Sequence, residues 1–445
     1  MKTRYVIVGT GGRAGMYIRA LAGEFKEAGE LVGLCDPNQE RMNFYNRLLA
    51  EEFGFAQPLP TYHSNDFDKM IEDLRPDKVI VTSMDRTHHQ YICRAMELGC
   101  DVITEKPMTI DAEKCQQIID TKQRTGRNLI MCFNYRYSPR NTKVKELLKQ
   151  GVIGNVISLH FEWLLDTGHG ADYFRRWHRD KRNNGGLLVH KSTHHFDLVN
   201  WWLESYPELV YALGDLRFYG RANAEARGIT EFYHRCRGSE LAAKDPFGLH
   251  VSPDNKDMYG LYYNAEHLDS YYRDLSVFND GISTEDTMSV IVKYHSKAVM
   301  TYALNAFCPW EGYRIVFNGD KGRLEFNVVE SEYVDNGQSF DDLIIPGHHE
   351  TPADKRKQMI PDIIVQQLWG KAVAVSYEED HGGHGGGDSR MLRDVFLGVK
   401  DDPLGHAAGY IDGAKSILTG IAANESIRTG MPIKVKDLVK LPDEP

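Results

Sequence analysis

The stretch YVIVGTGGRAGMYIRALAG, Tyr5 to Gly23, changes character at its middle. Four residues suited to a buried strand lead into a glycine cluster, and an apolar pattern with helical spacing follows. Gly9, Gly11 and Ala14 fit the pattern G-x-G-x-x-G/A, whose glycines allow a tight turn and a close approach to a pyrophosphate. Gly15 would fit the pattern with one extra residue in the turn. The stretch therefore predicts a strand–turn–helix unit that binds a dinucleotide.

The residues after the glycines suggest which dinucleotide binds. A helix starting near Arg13 would point its N–H groups at the phosphates, with Gly12 and Arg13 in the loop beside them. The next strand, Leu31 to Cys35, is followed by Asp36, which is placed to accept hydrogen bonds from an adenosine ribose. Asp36 would repel a 2′-phosphate, whereas Arg41 could offset that repulsion. We therefore predict NAD as the cofactor, with NADP as the alternative.

Strands and helices keep alternating after this unit. Asp77 to Ser83 is a β-branched run typical of a parallel strand covered on both faces, and Asn128 to Asn134 is a later strand. The helical patterns between them end at Gly99 and Gly126. This alternation predicts a Rossmann domain with a doubly wound sheet over residues 1–134.

Two loops at predicted strand ends carry polar residues, and ligands bind at such ends in this fold. The first loop runs from Ser83 to His88, and the second is Glu105-Lys106-Pro107. We expect Ser83, His88, Glu105 and Lys106 to line the cofactor. Lys106 would lie near the nicotinamide, where a cation could orient or protonate a substrate oxygen. The alternative is a surface lysine paired with Glu105.

Composition narrows the class of protein. The net charge is −10, with Lys and Arg scattered among acidic residues, which disfavours a nucleic-acid surface. No run approaches the roughly 18 apolar residues of a membrane helix, and the apolar start, Tyr5 to Val8, is a strand rather than the core of a signal peptide. Seven cysteines without a C-x-x-C pair suggest reduced thiols in a cytoplasmic protein.

Several motifs occur together in one order along the chain: the glycine-rich turn, Asp36, the loop from Ser83, Glu105-Lys106-Pro107, and NYRYSP at Asn134 to Pro139. Together they resemble the Gfo/Idh/MocA family, named after glucose–fructose oxidoreductase and inositol dehydrogenase. The E-K-P tripeptide is the most specific signature. The resemblance covers nearly the whole chain except an insertion described below. It implies a C-terminal α/β domain whose open sheet face, as is frequent in the family, is the interface of a homodimer or homotetramer.

The second half, residues 135–445, has the pattern of such a domain. The segment NVISLHFEWLLD alternates in polarity, and Met288 to Phe307 predicts a hairpin, so we expect an open, mostly antiparallel sheet. Tyr135 and Arg136 would lie at the domain crevice and touch cofactor or substrate, unless Arg136 braces the crossover. A polar, tyrosine-rich insertion covers about 219–281. Its length suggests a lid or a carbohydrate-binding loop, and an oligomerisation arm is the alternative.

The densest polar cluster lies between Trp177 and Leu203. His190 and His194 are four residues apart and share a helix face, and Asp197 lies near that face. Two histidines and a carboxylate could bind zinc, but no H-E-x-x-H pattern is present, and we predict no metal. The family resemblance implies D-x-x-x-H-x-x-D here, facing the substrate. This chain keeps His194 and Asp197 but has His190 at the first aspartate and Lys191 at a usually apolar position.

A second glycine cluster lies between Glu378 and Gly398 and contains His381, His384 and Asp388. A backbone this rich in glycine keeps one shape only under pressure from close neighbours. Related chains have a similar stretch beside the substrate, so the resemblance implies a substrate contact for His384. The alternative is a tight turn before the last helices.

These motifs predict an NAD(P)-dependent dehydrogenase acting on a hydroxyl of a sugar, sugar derivative or cyclitol. The substrate hydroxyl would lose its proton to His194, with His190 or Lys106 as a relay, while Lys106 stabilises the charge on oxygen. Lys191, Asp197, His384, Tyr135 and Arg136 are the predicted substrate-binding residues. One alternative is a glycosidase that uses tightly bound NAD for transient oxidation, elimination and hydration. The other is a non-catalytic regulator that senses NAD.

Overall fold

A computed structural model describes residues 2–334, 362–380 and 382–442 of the chain. In these residues two sheets form the centres of two domains. The strands of the first sheet are β1 (Thr3–Val8), β2 (Gly29–Cys35), β3 (Thr61–Tyr62), β4 (Lys78–Val81), β5 (Asp101–Thr104), β6 (Leu129–Met131) and β15 (Ala408–Gly409). Their order is β15-β6-β5-β4-β1-β2-β3, and all neighbours are parallel except β15 and β6.

Helices cover both faces of this first sheet, as the alternation of strands and helices predicts. They are α1 (Ala14–Ala22), α2 (Gln39–Phe53), α3 (Phe67–Leu74), α4 (His88–Glu97) and α5 (Ala112–Thr125). The side chain of Asp111 caps the start of α5 by accepting from the backbone N–H of Lys114, and Gly126 ends the helix in the left-handed region. The predicted Rossmann architecture is confirmed.

The second sheet has nine strands in the described residues, in the order β14-β13-β12-β11-β7-β10-β9-β8-β16. They are β7 (Val156–Asp166), β8 (Pro207–Asp215), β9 (Thr287–Tyr294), β10 (Val299–Cys308), β11 (Glu311–Gly319), β12 (Gly322–Ser331), β13 (Ile363–Gln367), β14 (Val373–Val375) and β16 (Ile433–Lys434). Only β7 and β10 pair in parallel, so the sheet is mostly antiparallel as predicted.

One face of the second sheet is covered by helices. Some of the helices that follow β6 form this cover. The described helices after β6 are α6 (Pro139–Lys149), α7 (His169–Arg175), α8 (Lys181–Asn184), α9 (Leu187–His190), α10 (Ser192–Leu203), α11 (Arg221–Ala226), α12 (Lys256–Met258), α13 (Glu266–Asp269), α14 (Gly383–Leu397) and α15 (Tyr410–Thr429). On β7, Leu159, Phe161 and Trp163 are buried against them, while His160 on the opposite face is exposed. The predicted histidine-rich helix is divided at Lys191 into α9 and α10.

The C-terminal part of the chain returns to the first domain. Helix α14 packs there, with the Phe396 ring centroid 5.4 Å from that of Tyr5 and 5.2 Å from that of Phe25. Strand β15 then extends the first sheet beside β6. Residue 134, the predicted domain boundary, is therefore followed by a later return of the chain, because α14 and β15 pack with the Rossmann core.

The insertion predicted around 219–281 contains short helices and a π-helical turn over Tyr259–Tyr263. We call residues 259–273 the strap. Leu261 of the strap is buried among apolar side chains of the first domain. A Cβ on Gly260 would lie 2.5 Å from the Phe44 ring, so the backbone approaches α2 closely. The insertion thus reaches across to the dinucleotide-binding domain.

Two sequence features bear on the chemical environment of the protein: its cysteines and the length of its apolar helices. All seven cysteines are free thiols, and five of them are buried. Among the described residues, no helix has the length and apolarity needed to cross a bilayer. The first result agrees with the reduced thiols predicted from the cysteine spacing.

Candidate active site

A cleft of about 760 Å³ lies where the ends of β1, β2, β4 and β5 meet the second domain. Both domains and the strap contribute to its walls. Its lining includes Gly9, Gly11, Gly12, Arg13, Asp36, Arg41, Ser83, Asp85, His88, Glu105, Lys106, Tyr173, Arg176, His178, His190, His194, Tyr262, Asp269, Tyr271 and His384. Most of the predicted cofactor and catalytic residues therefore come together at one place.

The glycine turn leaves room for a ligand at one end of the cleft. Gly9 has φ +87°, and a Cβ there would lie 2.4 Å from Cα of Ser83, so only glycine fits. A Cβ on Gly11 would meet nothing within 4 Å, because this backbone faces open space. The buried Ala14 begins α1 directly after the turn. A dinucleotide pyrophosphate fits a glycine turn at a helix N-terminus with this shape.

Asp36 lies beside the turn, at the end of β2. Its carboxylate accepts from the backbone N–H groups of Thr10 (2.6 Å) and Asn38 (2.8 Å), so it is fixed in place. Burial raises its pKa, while Arg41 and the two backbone donors oppose that shift. Arg41 is shared between two carboxylates, 3.8 Å from Asp36 and 2.6 Å from Asp269 of the insertion.

Glu105 and Arg13 hold the glycine turn against the loop after β5. Glu105 Oε1 accepts from Arg13 Nε (2.6 Å) and from the Tyr17 hydroxyl (2.8 Å). A second arginine nitrogen lies 3.6 Å from Asp388. Arg13, predicted to lie in the loop beside the phosphates, is thus engaged with protein carboxylates through Nε and Nη2. Arg13 still lines the wall of the cleft beside the glycine turn.

His88 connects the two polar loops. Its ring nitrogens lie 2.8 Å from the carbonyl oxygen of Pro107 and 2.9 Å from that of Ser83. Burial lowers the pKa of His88, and these carbonyl oxygens oppose the shift. The Ser83 hydroxyl is in turn 2.8 Å from that of Thr87. His88 therefore fixes the position of the loop that carries Lys106.

Lys106, His190 and Asp85 form a chain of polar contacts at the other end of the cleft. Lys106 Nζ lies 3.4 Å from His190 Nε2 and donates to the His190 carbonyl oxygen at 3.2 Å. His190 Nδ1 lies 2.5 Å from Asp85 Oδ2. When Nδ1–H donates to Asp85, Nε2 is left as an acceptor facing Lys106. The arrangement can pass a proton from Lys106 to His190.

Burial shifts the pKa of all three groups. It lowers the pKa of Lys106 to about 8, against the attraction of Asp85. It lowers that of His190 well below its usual value, and the positive charge of Lys106 adds to the shift. It raises that of Asp85, which Lys106 opposes. Lys106 is therefore a base with a pKa close to neutral pH, as proton transfer requires.

His194 and His384 face the same end of the cleft, with ring centroids 5.8 Å apart, and both rings pack against Tyr135. The Tyr135 ring centroid is 4.8 Å from that of His194 and 5.1 Å from that of His384. His194 Nδ1 is buried and has no hydrogen-bond partner in the part of the chain that the structure describes. His384 Nδ1 lies 3.0 Å from Asp388, whose pKa is about 2 because His384 and Arg13 outweigh burial. His381 lies outside the described residues.

Four predicted substrate-binding residues do not line the cleft: Tyr135, Arg136, Lys191 and Asp197. Arg136 donates twice to Asp197, at 2.8 and 2.6 Å, and also to Asp412 at 2.9 Å. A buried guanidinium needs such carboxylates, so Arg136 braces the crossover and Asp197 neutralises it. Lys191 is buried, with Nζ 4.9 Å from the Trp163 ring centroid. Arg136, Asp197 and Lys191 are thus engaged with other protein groups, and their expected substrate contacts stay predictions. Tyr135 packs beneath His194.

Asp85 and His178 were not among the predicted site residues. With His190 they form the cluster in the described residues whose ligand atoms lie close enough to hold a metal ion, within 4.8 Å of one another. Asp85 and His190 already share a hydrogen bond, and Lys106 lies beside them, so the geometry matches a proton relay better. Asp85 could have been suspected from its place in a strand-end loop, whereas no local pattern indicates His178.

The fold and the cleft together define a two-domain oxidoreductase that binds a nicotinamide dinucleotide. The chain belongs to the Gfo/Idh/MocA oxidoreductase family: residues 3–133 match its NAD-binding Rossmann domain, and residues 145–435 match its C-terminal α/β domain. The resemblance seen in the motifs is thereby confirmed.

Three relatives indicate the range of this family. The putative oxidoreductase YteT of Bacillus subtilis is 34% identical over 457 aligned positions, covering 98% of each chain. The glycosyl hydrolase family 109 protein 1 of Akkermansia muciniphila is 26% identical over 42% of this chain and 40% of its own length. The inositol 2-dehydrogenase of Rubrobacter xylanophilus is 27% identical over 47% of this chain and 54% of its own.

Proposed function

We propose that this dehydrogenase oxidises one hydroxyl of a sugar, sugar derivative or cyclitol and uses NAD rather than NADP. The chain of Lys106, His190 and Asp85 at the end of the cleft carries the proposal. The nicotinamide ring supplies the hydride acceptor when bound. The protein must then position the hydroxyl and remove its proton, and the buried relay is suited to both tasks.

The neutral amine of Lys106 accepts the hydroxyl proton and passes it to Nε2 of His190. As Nε2 takes this proton, Nδ1–H of the same ring gives its proton to Asp85, so no charged imidazole forms. The raised pKa of Asp85 suits this carboxylate to hold the proton. His194 stays neutral, because burial lowers its pKa well below the usual value, and it orients the substrate oxygen. Of the three predicted catalytic residues, Lys106 and His190 thus move the proton and His194 positions the reacting hydroxyl.

The preference for NAD follows from charges at the adenosine end. Asp36 and Asp269 both approach Arg41, so this guanidinium is neutralised by protein carboxylates. A 2′-phosphate beside Arg41 would meet two carboxylates that already pair with this guanidinium. A ribose hydroxyl could instead donate to Asp36. We expect purified protein to bind NAD at least about tenfold more tightly than NADP.

The second candidate is a glycosidase that oxidises its substrate transiently and returns the hydride. The similarity to a glycosyl hydrolase family 109 protein over part of the chain favours keeping this candidate. It uses the same relay, but it produces a free aglycone and no net NADH.

One experiment separates the two functions. The purified protein is incubated with NAD and a panel of free sugars, sugar acids and cyclitols, and NADH is followed by its absorbance. Aryl glycosides are tested in parallel for release of the aglycone. NADH formation that disappears in Lys106→Met supports the dehydrogenase. Aglycone release without net NADH would establish the glycosidase instead.

The open face of the second sheet supports the predicted homo-oligomer. Leu213, Ile291 and Val299 are 62%, 51% and 40% exposed on this face. Exposed apolar residues grouped on one sheet face favour contact with another protein surface. We propose that a second copy of the chain covers them, so the mass in solution should be that of a dimer or tetramer. Ile291→Lys should release monomers.

A further inference from the structure

The strap brings the insertion to the adenosine end of the cleft. Tyr262, Asp269 and Tyr271 of the strap line the same cavity as the glycine turn. The strap therefore takes part in the dinucleotide site, although it lies more than two hundred residues from that turn in the sequence.

The first contact is made to the glycine turn itself. The backbone N–H of Gly12 donates to the Tyr262 hydroxyl at 3.2 Å. A Cβ on Gly12 would lie only 3.1 Å from that oxygen, so the tyrosine packs closely against the turn. A phenol hydroxyl accepts and donates at once. Tyr262 can therefore stay on Gly12 while it donates to a phosphate oxygen at the helix N-terminus.

A second group of contacts fixes the strap to the first domain. Arg41 Nε donates to the carbonyl oxygen of Leu261 at 3.1 Å. Asn38 Nδ2 lies 2.9 Å from the Ala265 carbonyl oxygen and 2.9 Å from Asp269. Leu261 is buried, and burial of its apolar side chain stabilises this contact. This end of the strap is held as part of the Rossmann core.

A third contact fixes the strap to the second domain. Arg273 Nη1 and Nη2 donate to the two carboxylate oxygens of Asp172, at 2.5 and 2.8 Å. Asp172 belongs to α7, which also contributes Tyr173 to the cleft wall. Burial alone would raise the pKa of Asp172, but Arg176 and Arg273 hold it below the usual range. A paired, two-pronged contact of this kind is among the stronger hydrogen bonds in proteins.

We propose that the strap closes the adenosine half of the cofactor site from both domains and slows release of the bound dinucleotide, with Tyr262 as a further cofactor-binding residue. The proposal rests on the proposed function, since it requires that the cleft binds NAD. Release needs the segment between Tyr262 and Tyr271 to lift, and the contacts at Leu261 and Arg273 resist that motion.

The test follows release of the cofactor without any turnover. The protein is loaded with NADH, excess NAD is added, and the loss of protein-bound NADH fluorescence is timed. Arg273→Ala removes the second-domain anchor and should speed release by at least about tenfold. Tyr262→Phe removes only the hydroxyl and should speed release about threefold to tenfold.

Tyr259→Phe is the matched control, because Tyr259 begins the strap but does not line the cleft. Its release rate should equal that of the unaltered protein. If Arg273→Ala fails to fold, Tyr262→Phe carries the test alone. Equal release rates in Tyr262→Phe, Tyr259→Phe and the unaltered protein would overturn the proposal. Failure of the unaltered protein to bind NADH would instead overturn the proposed function.

Discussion

The two ends of the cleft are built on different physical principles. At the adenosine end, Asp36 and Arg41 are fixed by backbone donors and by ion pairs. At the end that we propose to be catalytic, Lys106 and His190 are buried, and their pKa values are strongly lowered. Fixed charges select a ligand, whereas shifted pKa values allow protons to move near neutral pH. Substitutions at the adenosine end should therefore change cofactor affinity, whereas substitutions at the other end should change the rate of oxidation.

The largest effect is expected at the catalytic end. Lys106→Met keeps the length of the side chain and removes the amine, so the rate of oxidation should fall by about 10²–10⁴. NAD affinity should change little, because the adenosine end is intact. Lys69→Met, at an exposed lysine of α3, is the control and should keep full activity. Equal loss of NAD affinity and rate in Lys106→Met would contradict the separation of the two ends.

The next effect concerns preference between cofactors. Asp36→Ser removes one of the carboxylates that neutralise Arg41, so the ratio of NAD to NADP affinity should fall by about tenfold to a hundredfold. Calorimetric titration with each dinucleotide measures this ratio. Asp68→Ser, on the surface of α3, serves as the control. An unchanged ratio would show that the 2′ position is not recognised at this place.

The pH dependence of the rate tests the catalytic end further. Lys106 must be neutral to accept a proton, and its pKa is about 8. The value of kcat/KM should therefore rise about tenfold per pH unit below that value and level off above it. Asp85 raises the pKa of Lys106, so Asp85→Asn should move the midpoint to lower pH. If Asp85→Asn left the pH midpoint of kcat/KM unchanged, the proposed relay would be contradicted.

The smallest effect on chemistry is expected outside the cleft. Asp197→Asn leaves the guanidinium of Arg136 without its two-pronged carboxylate, which should lower the free energy of unfolding by about 3–5 kcal/mol. At a temperature where the variant is folded, its rate should stay within about threefold of the unaltered protein. Denaturant unfolding and initial rates measure the two effects. A stable variant without activity would instead indicate that Asp197 contacts the substrate.

Local sequence was sufficient for the dinucleotide-binding half of the site. The roles of Gly9 and Asp36 depend on the turn and strand that carry them, and these elements formed where the pattern indicates. Partners distant in sequence were not predictable. Asp85 gains its role from His190, and Asp197 is paired with Arg136. Motif spacing places a residue on a face but does not say which distant charge will neutralise it.

The two glycine clusters illustrate the same limit. In the first, Gly11 faces open space, which suits a ligand. In the second, a Cβ on Gly386 would lie 2.1 Å from the Asp380 carboxyl carbon, and one on Gly387 would lie 2.1 Å from the Asn134 carbonyl oxygen. The glycines of the second cluster therefore make room for neighbouring parts of the protein rather than for a ligand. The cluster also holds His384 at the cleft. Composition alone does not distinguish the two cases.

The return of α14 and β15 to the Rossmann sheet has a consequence for dissecting the molecule. A fragment ending at residue 134 would expose the edge of β6 and the apolar rings of Tyr5 and Phe25 that Phe396 covers. Such a fragment should aggregate when expressed alone. A soluble version would need residues 383–409 joined to it through a linker. The dinucleotide-binding domain of this enzyme is thus assembled from two segments of the chain that lie far apart in sequence.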